Sequence, residues 1–100
     1  MSLRVIFKLA AVADFEDAIA WYEAQRPGLG EEFKTEVKAT LGRALANPGL
    51  FQRVRGRAQR IRLRRFNKYA IYFAIEDDTF AVLAVFHGSR SPAELHRRLS

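Results

Sequence analysis

The stretch Arg60-Ile61-Arg62-Leu63-Arg64-Arg65-Phe66-Asn67-Lys68-Tyr69-Ala70-Ile71-Tyr72-Phe73-Ala74-Ile75-Glu76-Asp77-Asp78-Thr79-Phe80-Ala81-Val82-Leu83-Ala84-Val85-Phe86-His87 carries the pattern of an antiparallel sheet. Its first residues alternate charge with branched apolar side chains, and a period of two belongs to a β-strand rather than a helix. Ile61 and Leu63 should therefore face a core, with Arg60, Arg62 and Arg64 together on the opposite side. The pattern predicts strands over 59–66, 69–76 and 79–87. Asn67-Lys68 and Asp77-Asp78 are the turns between them. The result is a three-stranded antiparallel meander.

The second and third of these strands are apolar or aromatic on both faces. A sheet wetted on one side alternates apolar with polar residues, so both faces here call for cover. The segments on either side can supply it. Residues 3–7 read as a short strand whose position in the sheet is left open. Phe15, Ala18, Ile19 and Tyr22 recur at helical spacing and predict a helix over about 11–26, with acidic residues crowding its first half. Pro27-Gly28-Leu29-Gly30 ends it. Phe33, Val37, Leu41, Ala44 and Leu45 mark a second helix over about 31–46, stopped by Asn47-Pro48-Gly49. Two helices joined by a short turn form a hairpin that can cover one face. A short helix over 92–99 is too small to cover all of the other. An apolar groove beside the arginines is the expected consequence. The fold class is thus α+β: strand, helical hairpin, antiparallel meander, short C-terminal helix, in one domain over 1–100.

Charge is unevenly spread. Residues 1–50 carry six basic and seven acidic side chains, net −1, whereas residues 51–100 carry eleven and four, net +7. Between Arg53 and Lys68 there are eight basic residues and no acidic one. Glu76, Asp77 and Asp78 are too few to neutralise them. That asymmetry points to a partner rich in negative charge. There is no cysteine, which excludes disulfides, thiolate nucleophiles and cysteine-ligated metals. His87 and His96 are too few and too far apart for a zinc site, so no metal or cofactor is expected. The beginning of the chain lacks the apolar core of a signal peptide, and the longest apolar run is far short of the ~20 residues that cross a bilayer. A cytoplasmic protein with no membrane contact is the expectation. Asp14, Glu16 and Asp17 read as a solvated helix face, and Trp21, Tyr69 and Tyr72 as core or groove residues. His87, at the end of an apolar strand, reads as a hydrogen-bonding partner of a turn.

In order and spacing the chain resembles the RelE/ParE toxin superfamily of bacterial toxin–antitoxin pairs, and most closely its ParE-like branch. The resemblance rests on Ala20-Trp21-Tyr22-Glu23, then Pro27-Gly28-Leu29-Gly30-Glu31-Glu32-Phe33, then Asn47-Pro48. It continues through Arg60 to Phe66, Tyr69-Ala70-Ile71-Tyr72-Phe73, Val82 to Arg90, and Pro92. One departure is Asn67-Lys68, where relatives often place proline after Arg-Arg-Phe. The resemblance implies a toxin held inactive by a cognate antitoxin, encoded by the adjacent gene, whose C-terminal segment lies in the toxin's groove. ParE-like members poison DNA gyrase by binding; RelE-like members cleave mRNA in the ribosomal A site. The shared scaffold does not choose between them. On the first reading there is no catalytic residue, and Arg60, Arg62, Arg64, Arg65, Tyr72 and Arg90 contact target or antitoxin. On the second, Arg62, Arg64 and Arg90 would stabilise a phosphate, with His87 or Tyr72 as acid–base group. The segment after Arg90 has no aromatic able to stack a base, which favours the first. A basic nucleic-acid-binding module without toxicity is the remaining alternative.

Overall fold

A computed structural model describes residues 3–99, so Met1, Ser2 and Ser100, at the ends of the expected domain, lie outside it. Along the chain come β1 (Arg4–Phe7), α1 (Leu9–Gln25), α2 (Leu29–Ala46), a 3₁₀ turn (Pro48–Leu50), β2 (Arg53–Arg55), β3 (Ala58–Arg62), β4 (Tyr69–Glu76), β5 (Thr79–His87) and α3 (Pro92–Leu99). The strands form a five-stranded sheet in the order β1-β5-β4-β3-β2. β3, β4 and β5 are the expected meander. β1 joins it in parallel at one edge, with Val5 beside Phe80. β2 adds an antiparallel edge strand that the sequence pattern did not reveal. Its three residues, Arg-Val-Arg, are too few to carry a period. Its turn, Gly56-Arg57, places Gly56 at φ +55, a conformation glycine adopts without steric cost.

β3 stops at Arg62, four residues before its expected end. From Arg64 the chain is drawn to α2 instead of β4: the Arg65 backbone N–H donates to Glu36 at 2.8 Å. Phe66 takes φ +60 and sets its ring 4.7 Å from Tyr22 and 5.3 Å from Phe33. Burying an aromatic ring here outweighs continued strand pairing. Arg64 therefore stands beyond the strand, not in line with Arg60 and Arg62.

The hairpin of α1 and α2 covers one face of the sheet. Phe33 and Val37 meet Ile61, Ile71, Phe73, Phe80, Val82 and Val85 in a single buried cluster. α1 starts at Leu9, earlier than the sequence pattern suggested, so its first turn holds no acidic residue. Gly28, at φ +90, turns the chain into α2. Glu23 of α1 then accepts hydrogen bonds from the N–H groups of Gly28, at 3.0 Å, and Gly30, also at 3.0 Å. Two otherwise orphaned donors at the start of α2 are satisfied from the neighbouring helix. Gly30 is helical, not part of the turn. A Cβ there would lie 2.8 Å from the Ile19 carbonyl oxygen, so the helices cross at a distance only glycine permits.

On the other face Ala70, Tyr72, Ala84 and Phe86 form a second buried cluster, with Leu95 and Leu99 of α3 packed on it. A β-bulge makes the two-sided burial possible. Tyr72 pairs with Ala84 but Phe73 pairs with Val82, leaving Leu83 as the extra residue. Alternation reverses there, so Val82 and Val85 both turn to the hairpin while Ala84 and Phe86 turn to α3.

Candidate binding groove

The groove expected beside the arginines lies on the α3 face. Its volume is about 530 Å³. Ala70 and Tyr72 of β4 and Phe86 of β5 make its floor, Pro92 and Leu95 one wall, and Arg60, Arg62, Lys68 and Arg90 its rim. Cross-strand register explains the arrangement: Arg60 stands opposite Tyr72 and Arg62 opposite Ala70, so both cations share the face of the apolar floor. Arg60 donates to the Gln52 side-chain oxygen at 3.2 Å, and its backbone N–H to the Gln52 carbonyl at 3.0 Å. Neither Arg60 nor Arg62 has a carboxylate partner among the described residues.

Not every candidate residue comes to this groove. Arg60, Arg62, Tyr72, His87 and Arg90 line it; Arg64 and Arg65 do not. Arg64 is exposed in the turn after β3. Arg65 faces away, ion-paired with Glu32 of α2 and lying over the Phe66 ring at 4.7 Å. Its guanidinium beside Glu32 holds that carboxyl below its usual value. The Nδ1 of His87 accepts from the Ser89 N–H at 3.0 Å and lies 2.7 Å from the Ser89 hydroxyl, tying the turn that leads to α3. An Nδ1 that accepts a backbone N–H leaves the neutral ring's proton on Nε2.

Arg90 is fixed by a network the sequence did not reveal. Asp14 is buried, not solvated as expected; only Glu16 and Asp17 are exposed. One Asp14 oxygen accepts from Arg90 at 2.9 Å and from Arg98 at 2.6 Å. The other accepts from Arg98 at 2.8 Å and from the Val85 N–H at 3.0 Å. Burial alone would raise the Asp14 pKa; the hydrogen bonds from Arg98, Arg90 and Val85 outweigh it and hold the carboxyl below its usual range. Glu94 of α3 completes a ring of charges, ion-pairing with Arg90 and, at 3.6 Å, with Arg98. The Arg90 guanidinium lies 4.0 Å from the centre of the Phe86 ring. The ring of charges also serves the bulge. β1 pairs with β5 only as far as Val82, and beyond that point Asp14 takes the Val85 N–H while Arg98 approaches the Leu83 carbonyl at 3.4 Å. A signal was present: Ala11, Asp14 and Ala18 fall at one helical face, and all three are buried.

A second cleft, of about 700 Å³, lies on the α1 side of the same turn, with Asp17, Trp21 and Tyr22 on one wall and Lys68, Tyr69 and His87 on the other. Trp21 is 57% exposed, so it is a surface residue of this cleft and not part of the core. Its ring meets Tyr22 edge-on at 5.1 Å. Burial raises the Tyr22 and Tyr69 phenols above their usual pKa. Among the described residues no three potential metal ligands cluster.

A sheet backed by a helical hairpin, with a short C-terminal helix beside a cationic groove, is the scaffold of the RelE/ParE type. The family model described as ParE toxin of type II toxin–antitoxin system, parDE, matches residues 5–92, and the chain belongs to that family. Among solved structures, the chromosomal ParDE TA system from P. aeruginosa superposes with a TM-score of 0.74 over 85% of this chain and 95% of that one, at 10% identity. At that identity the likeness establishes the fold. No curated protein matched. Among the described residues no helix is long and apolar enough to cross a membrane.

Proposed function

We propose that this ParE-family toxin acts by binding DNA gyrase in the cytoplasm, as a single domain without covalent chemistry of its own. A cognate antitoxin, encoded next to it, neutralises it by laying an acidic segment in the groove. The observation that carries this reading is the pairing of an apolar floor with Arg60 and Arg62, cations that the described part of the molecule leaves without a carboxylate. Oily contact gives such a surface area, and the cations select an anionic partner. Arg64 extends the cationic surface beyond the groove, while Arg65 and Arg90 would contact a partner only alongside the acids they already hold.

Several features favour binding over RNA cleavage. Tyr72 is buried in the floor, so its ring is not free to stack a base. The Nδ1 of His87 is engaged with Ser89, and α3 offers no phenylalanine, tyrosine or tryptophan. The test is purified protein with gyrase and plasmid. Lost supercoiling or trapped cleavage complexes is the expected result; no effect on gyrase together with cuts in A-site mRNA would overturn it. Growth arrest on expression should be relieved by the neighbouring gene.

A further inference from the structure

The two edges of the sheet differ in kind. β2, at one edge, carries exposed Arg53 and Arg55, and its register against β3 shifts between them. Charge and an irregular register are devices that keep a sheet edge from pairing with another chain. β1, at the other edge, is regular and apolar at its middle. Val5 and Ile6 are 42% and 39% exposed, and Leu9 just beyond the strand is 89% exposed. The N–H groups of Arg4 and Lys8 donate to the carbonyls of Asp78 and Val82, at 2.8 and 2.9 Å, so by alternation those of Val5 and Phe7 point away from the sheet. We propose that β1 pairs antiparallel with β1 of a second copy of this chain, about a twofold axis at Val5, joining the two sheets edge to edge.

Charge selects the register. Hydrogen bonds across the new seam run only between outward-pointing residues, which limits what Val5 can face. Setting Val5 against the partner's Phe7 places Arg4 opposite the partner's Lys8. Setting it against the partner's Leu3 places Arg4 opposite the partner's Arg4. Like charges directly opposite each other are destabilising, so both registers are disfavoured. Setting Val5 against the partner's Val5 places Arg4 opposite the partner's Ile6, and Phe7 opposite the partner's Leu3.

Charge also selects the occupant. The Val5 register carries the partner's Lys8 past Arg4, to the level of the Asp77-Asp78 turn that precedes β5. Both carboxylates of that turn are exposed, and among the described residues neither holds a cation. The edge thus offers both signs, cations on β1 and acids beside its start. A surface of that kind complements itself under a twofold. A uniformly acidic segment of another protein would meet Asp77 and Asp78 with like charge, so a second copy fits the edge better. The seam is only a few residues long, which makes the association weak and dependent on protein concentration. No residue of the groove lies on β1, so each copy keeps its groove free.

The experiment is sedimentation velocity of the full chain over a concentration series. The unaltered protein should pass from monomer to dimer as concentration rises. Val5→Lys and Val5→Glu each set like charges across the twofold and should weaken dimerisation about tenfold or more. Mixed one to one, the two variants should dimerise again, a recovery that separates lost pairing from lost folding. The chain has no cysteine, so Val5→Cys introduces a single thiol. Residues of a hydrogen-bonded antiparallel pair stand about 5.5 Å apart at Cα, within disulfide range, so mild oxidation should cross-link it. Arg55→Cys, on the guarded edge, should stay monomeric under the same oxidation. A chain that remains monomeric at every concentration overturns the proposal. So does a dimer that both charged variants leave intact, a mixture that does not recover, or cross-linking at residue 55 equal to that at residue 5. A monomer whose Val5 and Phe7 amides gain exchange protection from added hexaglutamate would assign the edge to an acidic segment and overturn it too.

Discussion

Asp14 is the most consequential single residue of the fold. It is a buried carboxylate with two arginines and a backbone N–H on it. Removing one member of such a network leaves the others desolvated and unpaired. Arg90 and Arg98 retain partial exposure, which softens the penalty. Asp14→Asn should cost about 2–3 kcal/mol, read by urea denaturation. The pH dependence has a definite sign. The folded pKa is depressed, so the stabilisation is complete above the unfolded value of about 4 and is lost as pH falls through the folded value. The natural chain should lose stability on acidification below about pH 4, and Asp14→Asn should lose less. Two glycines make a sharper pair. Gly30→Ala pushes a methyl against the Ile19 carbonyl and should destabilise by about 1–3 kcal/mol. Gly42→Ala meets open space in the same helix and should stabilise by up to about 1 kcal/mol. These residues mark where sequence reading fails. Asp14 has the look of a surface acid because its partner Arg98 lies 84 positions away, at the other end of the chain. Phe66 leaves its strand for rings on the hairpin, a tertiary preference no local period encodes. Ile61 and Leu63, by contrast, point inward as their alternation requires.

Among the elements, β4, β5 and α3 have the bounds that the pattern set, because two-residue turns and proline punctuate them sharply. The groove was legible too: two strands apolar on both faces and only a short helix to cover one of them imply uncovered floor. The bulge at Leu83 was not legible, since a strand apolar throughout does not record where its alternation reverses. α2 depends on α1 for its start. Replacing Glu23 with Ala removes the acceptor for two N–H groups and should cost about 1 kcal/mol, while Glu23→Gln should cost less. α3 is held differently from the other helices. None of its residues is buried, and much of its attachment runs through Glu94 and Arg98. Amide exchange should therefore be fastest in α3 among the three helices and slowest in β4 and β5, with Asp14→Asn accelerating α3 while the central strands keep their protection.

For the molecule as a whole, the charge division of the sequence becomes a division in space. The first half of the chain, net −1, is mostly the hairpin; the second, net +7, is mostly sheet. Association with an acidic partner should slow steeply as salt rises, with dissociation changing far less, measured by stopped flow. Arg62→Ala with Arg64→Ala should flatten that dependence. Because the excess of cations lies in the second half of the chain while the first half is nearly neutral, the protein is a permanent dipole. In the field of any polyanion it rotates before it arrives, and the collision begins already facing the right way.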